Sequence, residues 1–198
     1  MPASRDTIHP LWLRLTHWLN AIAVVVLVLS GWRIYNASPI FPFRFPDGIT
    51  LGGWLGGALL WHFAAMWLLF VNGLIYLFVN LLSGRLTRQF FPLRAGELWR
   101  DLRAALAGKL SHADPRHYNA VQKLAYLFVM VASVLIVVSG LVVWKSVQFP
   151  LLRTLMGGFD NARIVHFLAM AGLAAFFLVH IVMVALVPRT FVAMLRGR

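Results

Sequence analysis

Ile164-Val-His166-Phe-Leu-Ala-Met-Ala-Gly-Leu-Ala-Ala-Phe-Phe-Leu-Val-His180-Ile-Val-Met-Val-Ala-Leu-Val187 is a stretch with no acid, no lysine and no arginine, but with two histidines. As a helix rising about 1.5 Å per residue it is about 36 Å long, enough to cross a hydrocarbon layer of about 30 Å. His166 and His180 stand 14 residues apart. That is about 21 Å of rise and, at about 100° per residue, nearly four full turns, so both imidazoles lie on one stripe of one helix at opposite depths. An ionisable side chain in a spanning helix is costly and marks a functional position by default.

The rest of the chain has the same character. Of 198 residues, 61% are hydrophobic and 12% charged, and the mean hydropathy is +0.78. Soluble domains are about half apolar and about a quarter charged. Spans are expected at about 11–35, 51–82, 118–146 and 161–187, which predicts an all-α, integral-membrane four-helix bundle forming one domain over 1–198. No large water-soluble catalytic domain is expected within these residues. The first apolar run, Leu19 to Leu29, leads into Ser30-Gly31-Trp32-Arg33 with no small-x-small cleavage site, and so reads as a retained span. The absence of cysteine excludes disulfides, iron–sulfur clusters, thiolate zinc sites and covalently attached haem.

Eighteen Lys and Arg against six Asp and Glu give a net charge of +12. Thirteen of these bases (Arg5, Arg14, Arg85, Arg88, Arg94, Arg100, Arg103, Lys109, Arg116, Lys123, Arg189, Arg196, Arg198) fall on the side of the termini and of the 83–123 loop. The other side has only Arg33, Arg44, Lys145, Arg153 and Arg163. The positive-inside rule then puts both termini in the cytoplasm of a multi-pass inner-membrane protein, and accounts for most of the charge without nucleic acid. Within the long loop, Leu98, Trp99, Leu102, Ala105 and Leu106 at helical spacing beside Arg100, Arg103 and Lys109 predict a short cytoplasmic interfacial helix. The first outer loop, Pro39 to Gly48, is rich in proline and phenylalanine, and is expected at the membrane surface or under a partner. Asn36-Ala37-Ser38 matches a short glycosylation pattern that is common by chance.

Of seven histidines, His9, His112 and His117 lie outside the spans, whereas His17, His62, His166 and His180 lie within them. Span direction sorts the four by depth into His62 with His166, toward the outside, and His17 with His180, toward the cytoplasm. Two imidazoles facing each other suit a low-spin haem iron with both axial positions filled, so two haem b groups are expected. Zinc would want three or four ligands. A proton relay would recruit acids, and all six lie outside the spans. Arg14 and Arg163 each precede a histidine by three residues, on the same helix face, where they could pair with haem propionates. Snorkelling is the alternative for Arg14. Ser30-Gly31, Ser139-Gly140 and the two overlapping G-x-x-x-G patterns in Gly52-Gly53-Trp54-Leu55-Gly56-Gly57 allow close approach of helices or of a flat macrocycle. The eight tryptophans mostly mark span ends as an interfacial belt.

Arg14-Leu-Thr-His17-Trp18, a lone His62 in span 2, Tyr118-Asn-Ala-Val-Gln-Lys123 and the His166/His180 spacing together resemble the two-haem b-type cytochrome subunits of bacterial formate dehydrogenase, nickel–iron hydrogenase and thiosulfate reductase. The resemblance covers almost the whole chain. It implies a membrane anchor that carries electrons between the quinone pool and a redox partner, with the four histidines as haem ligands. It also implies a quinone near the inner haem, where Tyr118-Asn119 and Gln122 match the motif and amides could bond a quinone carbonyl. Asn119 as a helix N-cap is the alternative. Val121 stands where some members carry glycine. The 144–150 and 188–190 stretches are similar to members paired with molybdenum-cofactor oxidoreductases. Two other functions stay open: a stand-alone haem oxidoreductase acting on a small molecule such as superoxide, and a haem-free structural or transport protein. Phe41, Phe43, Phe45 and Phe149 lean toward docking of a periplasmic partner.

Overall fold

The computed structural model describes residues 10–82, 95–106 and 120–197. Among the described residues, seven α-helices follow one another: α1 (Leu11–Ala37), α2 (Leu55–Leu82), α3 (Ala95–Leu106), α4 (Ala120–Trp144), α5 (Pro150–Leu155), α6 (Phe159–Leu186) and α7 (Pro188–Arg196), with a 3-10 turn at Asp47–Ile49. The described residues contain no strand. Four helices, α1, α2, α4 and α6, are long and apolar enough to cross a membrane. The described residues group into two compact units, one running to Val79 and resuming at Phe177, the other running from Asn80 to Phe176. The long helix α6 contributes residues to both.

Side-chain size is distributed the opposite way from a water-soluble protein. Most of the buried positions are small, among them Ala23, Ala58, Ala65, Ala132, Ala162, Ser30 and Ser139, while Leu60, Phe78 and Leu178 are 74%, 63% and 65% exposed. Lipid tails are as apolar as leucine, so large side chains gain nothing by turning inward, and close backbone approach favours small ones. Buried Asn72 is bonded: its Nδ2 on α2 donates to Thr16 O and to Asn20 Oδ1 on α1, each at 2.7 Å.

The start of α2 departs from the expected boundary at residue 51, because Leu51–Trp54 form a bend and the helix begins at Leu55. The glycines there are needed by the turn itself. Gly52 and Gly53 have φ of +108° and +70°, and a Cβ on Gly57 would lie 2.2 Å from Gly52 O. The expected interfacial segment is helical as α3, with the Arg103 guanidinium 4.9 Å from the Trp99 ring centre. Helices α5 and α7 were not foreseen. Each opens on a proline, whose fixed φ and missing N–H suit a first helical turn.

The outer loop folds onto the end of α1. Asn36 accepts from Phe45 N at 2.9 Å and donates to Phe45 O at 2.8 Å, Tyr35 Oη bridges the Phe41 backbone, and Arg33 pairs with Asp47. Phe45 stacks on Trp32 with ring centres 4.5 Å apart. Of the phenylalanines expected at a docking face, Phe43 is 45% exposed beside exposed Arg44, Phe149 is 37% exposed, and Phe41 and Phe45 are half-buried.

Gly52→Ala would set a Cβ 2.4 Å from Ala58 N, whereas a Cβ on Gly53 meets nothing within 4 Å. Gly52→Ala should cost about 3 kcal/mol or more and Gly53→Ala about 1 kcal/mol. Thermal unfolding in detergent should show the larger drop for Gly52→Ala; equal drops would contradict the turn assignment.

Candidate functional site

His62 stands two turns into α2, beside the Ser30-Gly31 pair of α1. Ser30 is fully buried, its hydroxyl donates to Val26 O at 2.6 Å, and its Oγ lies 3.1 Å from His62 Nδ1. A hydroxyl has a single proton. With that proton committed to the carbonyl one turn back, Oγ is the acceptor and His62 Nδ1 the donor. Gly31 gives the ring its room, since a Cβ there would sit 3.5 Å from His62 Cε1.

The same device recurs between α4 and α6, in the other unit. Ser139 Oγ, also fully buried, donates to Leu135 O at 2.6 Å and lies 3.2 Å from His166 Nδ1. His166 Nδ1 is in addition 3.0 Å from Ile136 O, and a carbonyl can only accept, so Nδ1 carries the proton. A Cβ on Gly140 would sit 3.2 Å from His166 Cε1. Both histidines thus hold the tautomer whose Nε2 keeps a lone pair, the form in which imidazole ligates a metal. The serines were visible in the sequence only as small residues. Their partners lie 32 and 27 residues away along the chain.

His17 on α1 and His180 on α6 come together within the first unit, with ring centres 6.1 Å apart and planes inclined at 65°. Imidazoles bound to opposite sides of one metal at about 2.0–2.1 Å have nitrogens about 4 Å apart and ring centres about 6 Å apart. The observed separation has that size. Asn72, bonded to Thr16 O, ties α2 to the turn of α1 that carries His17. Asn20 and Asn72 were missed in the sequence, although an amide in an apolar span is itself a signal.

Arg14 donates to Leu195 O on α7, while its Nε and the Trp18 Nε1 are buried without an acceptor among the described residues. Arg163 has a carboxylate one turn back, Asp160, at 3.8 Å. Gln122 is half-buried in the first turn of α4; Tyr118 and Asn119 lie outside the described residues, as do His9, His112 and His117. No cluster of three or more metal-ligating side chains occurs among the described residues. Paired or single imidazoles in apolar surroundings fit haem, whose macrocycle supplies the other four ligands, and do not fit a protein-ligated zinc.

No solved structure matches this chain. It is 66% identical over 190 residues, covering 96% of each chain, to a putative protein-methionine-sulfoxide reductase subunit, YedZ1, of Azospira oryzae. It is 26% identical over 185 residues, covering 85% of this chain and 75% of the relative, to a probable Ni/Fe-hydrogenase B-type cytochrome subunit of Azotobacter vinelandii. The family profile described as prokaryotic cytochrome b561 matches residues 8–197, and with four apolar helices and histidines held in ligating form, the chain belongs to that family of b-type haem membrane proteins.

Proposed function

We propose that this protein is the two-haem membrane subunit of an oxidoreductase complex, carrying electrons between the quinone pool and a periplasmic partner. The observation that carries the reading is the state of the four in-span imidazoles. His17 and His180 stand at the spacing of two ligands to one metal, and His62 and His166 each have Nδ1–H engaged, which puts the lone pair on Nε2. His17 with His180 would hold one haem b, and His62 with His166 the other. Held by two imidazoles, haem would supply a reversible one-electron centre.

The chain's own residues do the remaining work. Ser30 and Ser139 orient the ligating rings, Gly31 and Gly140 make room for them, and the apolar spans exclude water. Arg14 and Arg163, each one turn from a histidine, would neutralise propionates. Asn119 and Gln122, at the start of α4, would hold a quinone carbonyl by hydrogen bonds. Basic residues concentrated on one side support cytoplasmic termini in the bacterial inner membrane. The similarity to a protein-methionine-sulfoxide reductase subunit supports a reductase as partner, of the molybdenum-cofactor kind suggested by the 144–150 and 188–190 stretches. A reductase consumes electrons, so flow runs from quinol to partner. Exposed Phe43 and Arg44 on the outer loop offer it a docking contact.

Purified protein should release two haems per chain into acidified organic solvent. His62→Ala or His166→Ala should remove one haem, and His17→Ala or His180→Ala the other, distinguished by their reduced spectra; a stoichiometry of one or a crossed pattern defeats the reading.

Ser139→Ala leaves His166 Nδ1–H the Ile136 carbonyl to donate to, and should keep full haem content. Gly140→Val drives methyl groups into the His166 ring at an overpacking cost of about 1–3 kcal/mol, and should lower haem content. The reverse order would refute the notch.

Leucine at both Asn119 and Gln122 should slow haem reduction by a quinol analogue about tenfold or more without altering the haem spectrum. Unchanged kinetics would move the quinone elsewhere.

A further inference from the structure

We propose that Arg14 and Trp18 form a carboxylate-binding pair, built by the C-terminal helix α7, for a propionate of the haem on His17 and His180; the inference rests on the haem reading above. Arg14 Nε and Trp18 Nε1 are both buried, and neither has an acceptor among the described residues. They stand four residues apart on α1, and so share one helix face. His17 adjoins Trp18, with ring centres 5.4 Å apart.

Helix α7 sets both donors. Its last turn offers Leu195 O, one of the carbonyls a helix end leaves without an intrahelical partner, to an Arg14 terminal nitrogen. Its Phe191 ring meets the Trp18 ring edge-on with centres 6.0 Å apart. Gly197 in the left-handed conformation ends the helix at that point. The guanidinium is anchored at one nitrogen, and its Nε remains to be satisfied.

What would satisfy the pair follows from its chemistry. Arginine and indole N–H groups only donate, and the guanidinium stays charged. A buried donor left unmade costs about 1–3 kcal/mol, and at Arg14 the buried Nε belongs to a half-buried cation. None of the described ion pairs includes Arg14; Asp47 is engaged by Arg33 and Asp160 by Arg163. A quinone carbonyl or a water would satisfy an N–H and leave the charge. An oxyanion satisfies both, and the oxyanion that reaches a residue adjoining His17 is the carboxylate of the group His17 ligates. A lipid phosphate offers the same chemistry from outside the helices.

The test uses the full chain in nanodiscs and follows transfer to apomyoglobin of the haem that His180→Ala removes. Trp18→Phe keeps the ring against Phe191 and deletes only the N–H; Arg14→Gln deletes the charge. Each should release that haem about tenfold faster than the parent. The difference should vanish when the protein is reconstituted with haem dimethyl ester, whose propionates cannot bear charge, and should be the same in phosphatidylcholine and phosphatidylglycerol discs. Parent-like release from Trp18→Phe, or a difference that persists with the diester, overturns the proposal while leaving the haem reading intact. A difference confined to phosphatidylglycerol assigns the pair to lipid phosphate and also overturns it. A parent with no haem dependent on His180 defeats the haem reading itself, and this inference with it.

Discussion

An imidazole inside a membrane-spanning helix has no water to bond, so its N–H must find an acceptor on a neighbouring helix, and the position of that acceptor fixes how the ring is turned. His62 and His166 meet this constraint with the same pair of residues. A serine with its proton already given to the carbonyl four residues back can only accept, and this makes Nδ1 the protonated nitrogen. The glycine that follows leaves the ring edge a notch, closer at Gly140 than at Gly31. Tautomer, rotation and depth of the ring are thereby set by a dipeptide on the adjacent helix. Which nitrogen carries the lone pair is a consequence.

The same absence of water explains the packing. With no hydrophobic force to draw helices together in lipid, association rests on close backbone contact and on interhelical hydrogen bonds. Alanines and serines fill the buried positions, and Asn72, 4% exposed, clamps α1 against α2 through Thr16 and Asn20. That clamp lies in the turn of α1 that bears His17, so a contact that stabilises the helix pair also holds a site residue in register.

The four spans and the four in-span histidines could be read from the chain because both signals are local: an unbroken apolar run, and a 14-residue spacing that helix geometry converts into depth and face. Features that depend on residues distant in sequence could not. Ser30-Gly31 looked like ordinary small-residue packing because nothing near it in the chain points to His62. Gly52-Gly53-Trp54-Leu55-Gly56-Gly57 has the spacing of a helix-packing motif, yet its glycines are required by positive φ and by contacts within the turn. Helix α7 is too short for periodicity to stand out, and only its contacts with Arg14 and Trp18 give it significance.

The two R-x-x-H motifs, Arg14 with His17 and Arg163 with His166, are equivalent in spacing and become unequal on folding. Arg163 has Asp160 on its own helix at 3.8 Å, but that carboxylate is 89% exposed. An exposed pair of this kind contributes about 0–1 kcal/mol, so it does little to hold the guanidinium away from a better-placed anion. Among the described residues Arg14 has no such pair. One of its nitrogens is fixed to a backbone carbonyl, which orients the group without neutralising it, and its buried Nε is left to be satisfied. Identical sequence spacing therefore produces one arginine that can exchange its partner and one that is anchored and, among the described residues, without a carboxylate, and the difference arises from a helix more than 170 residues away.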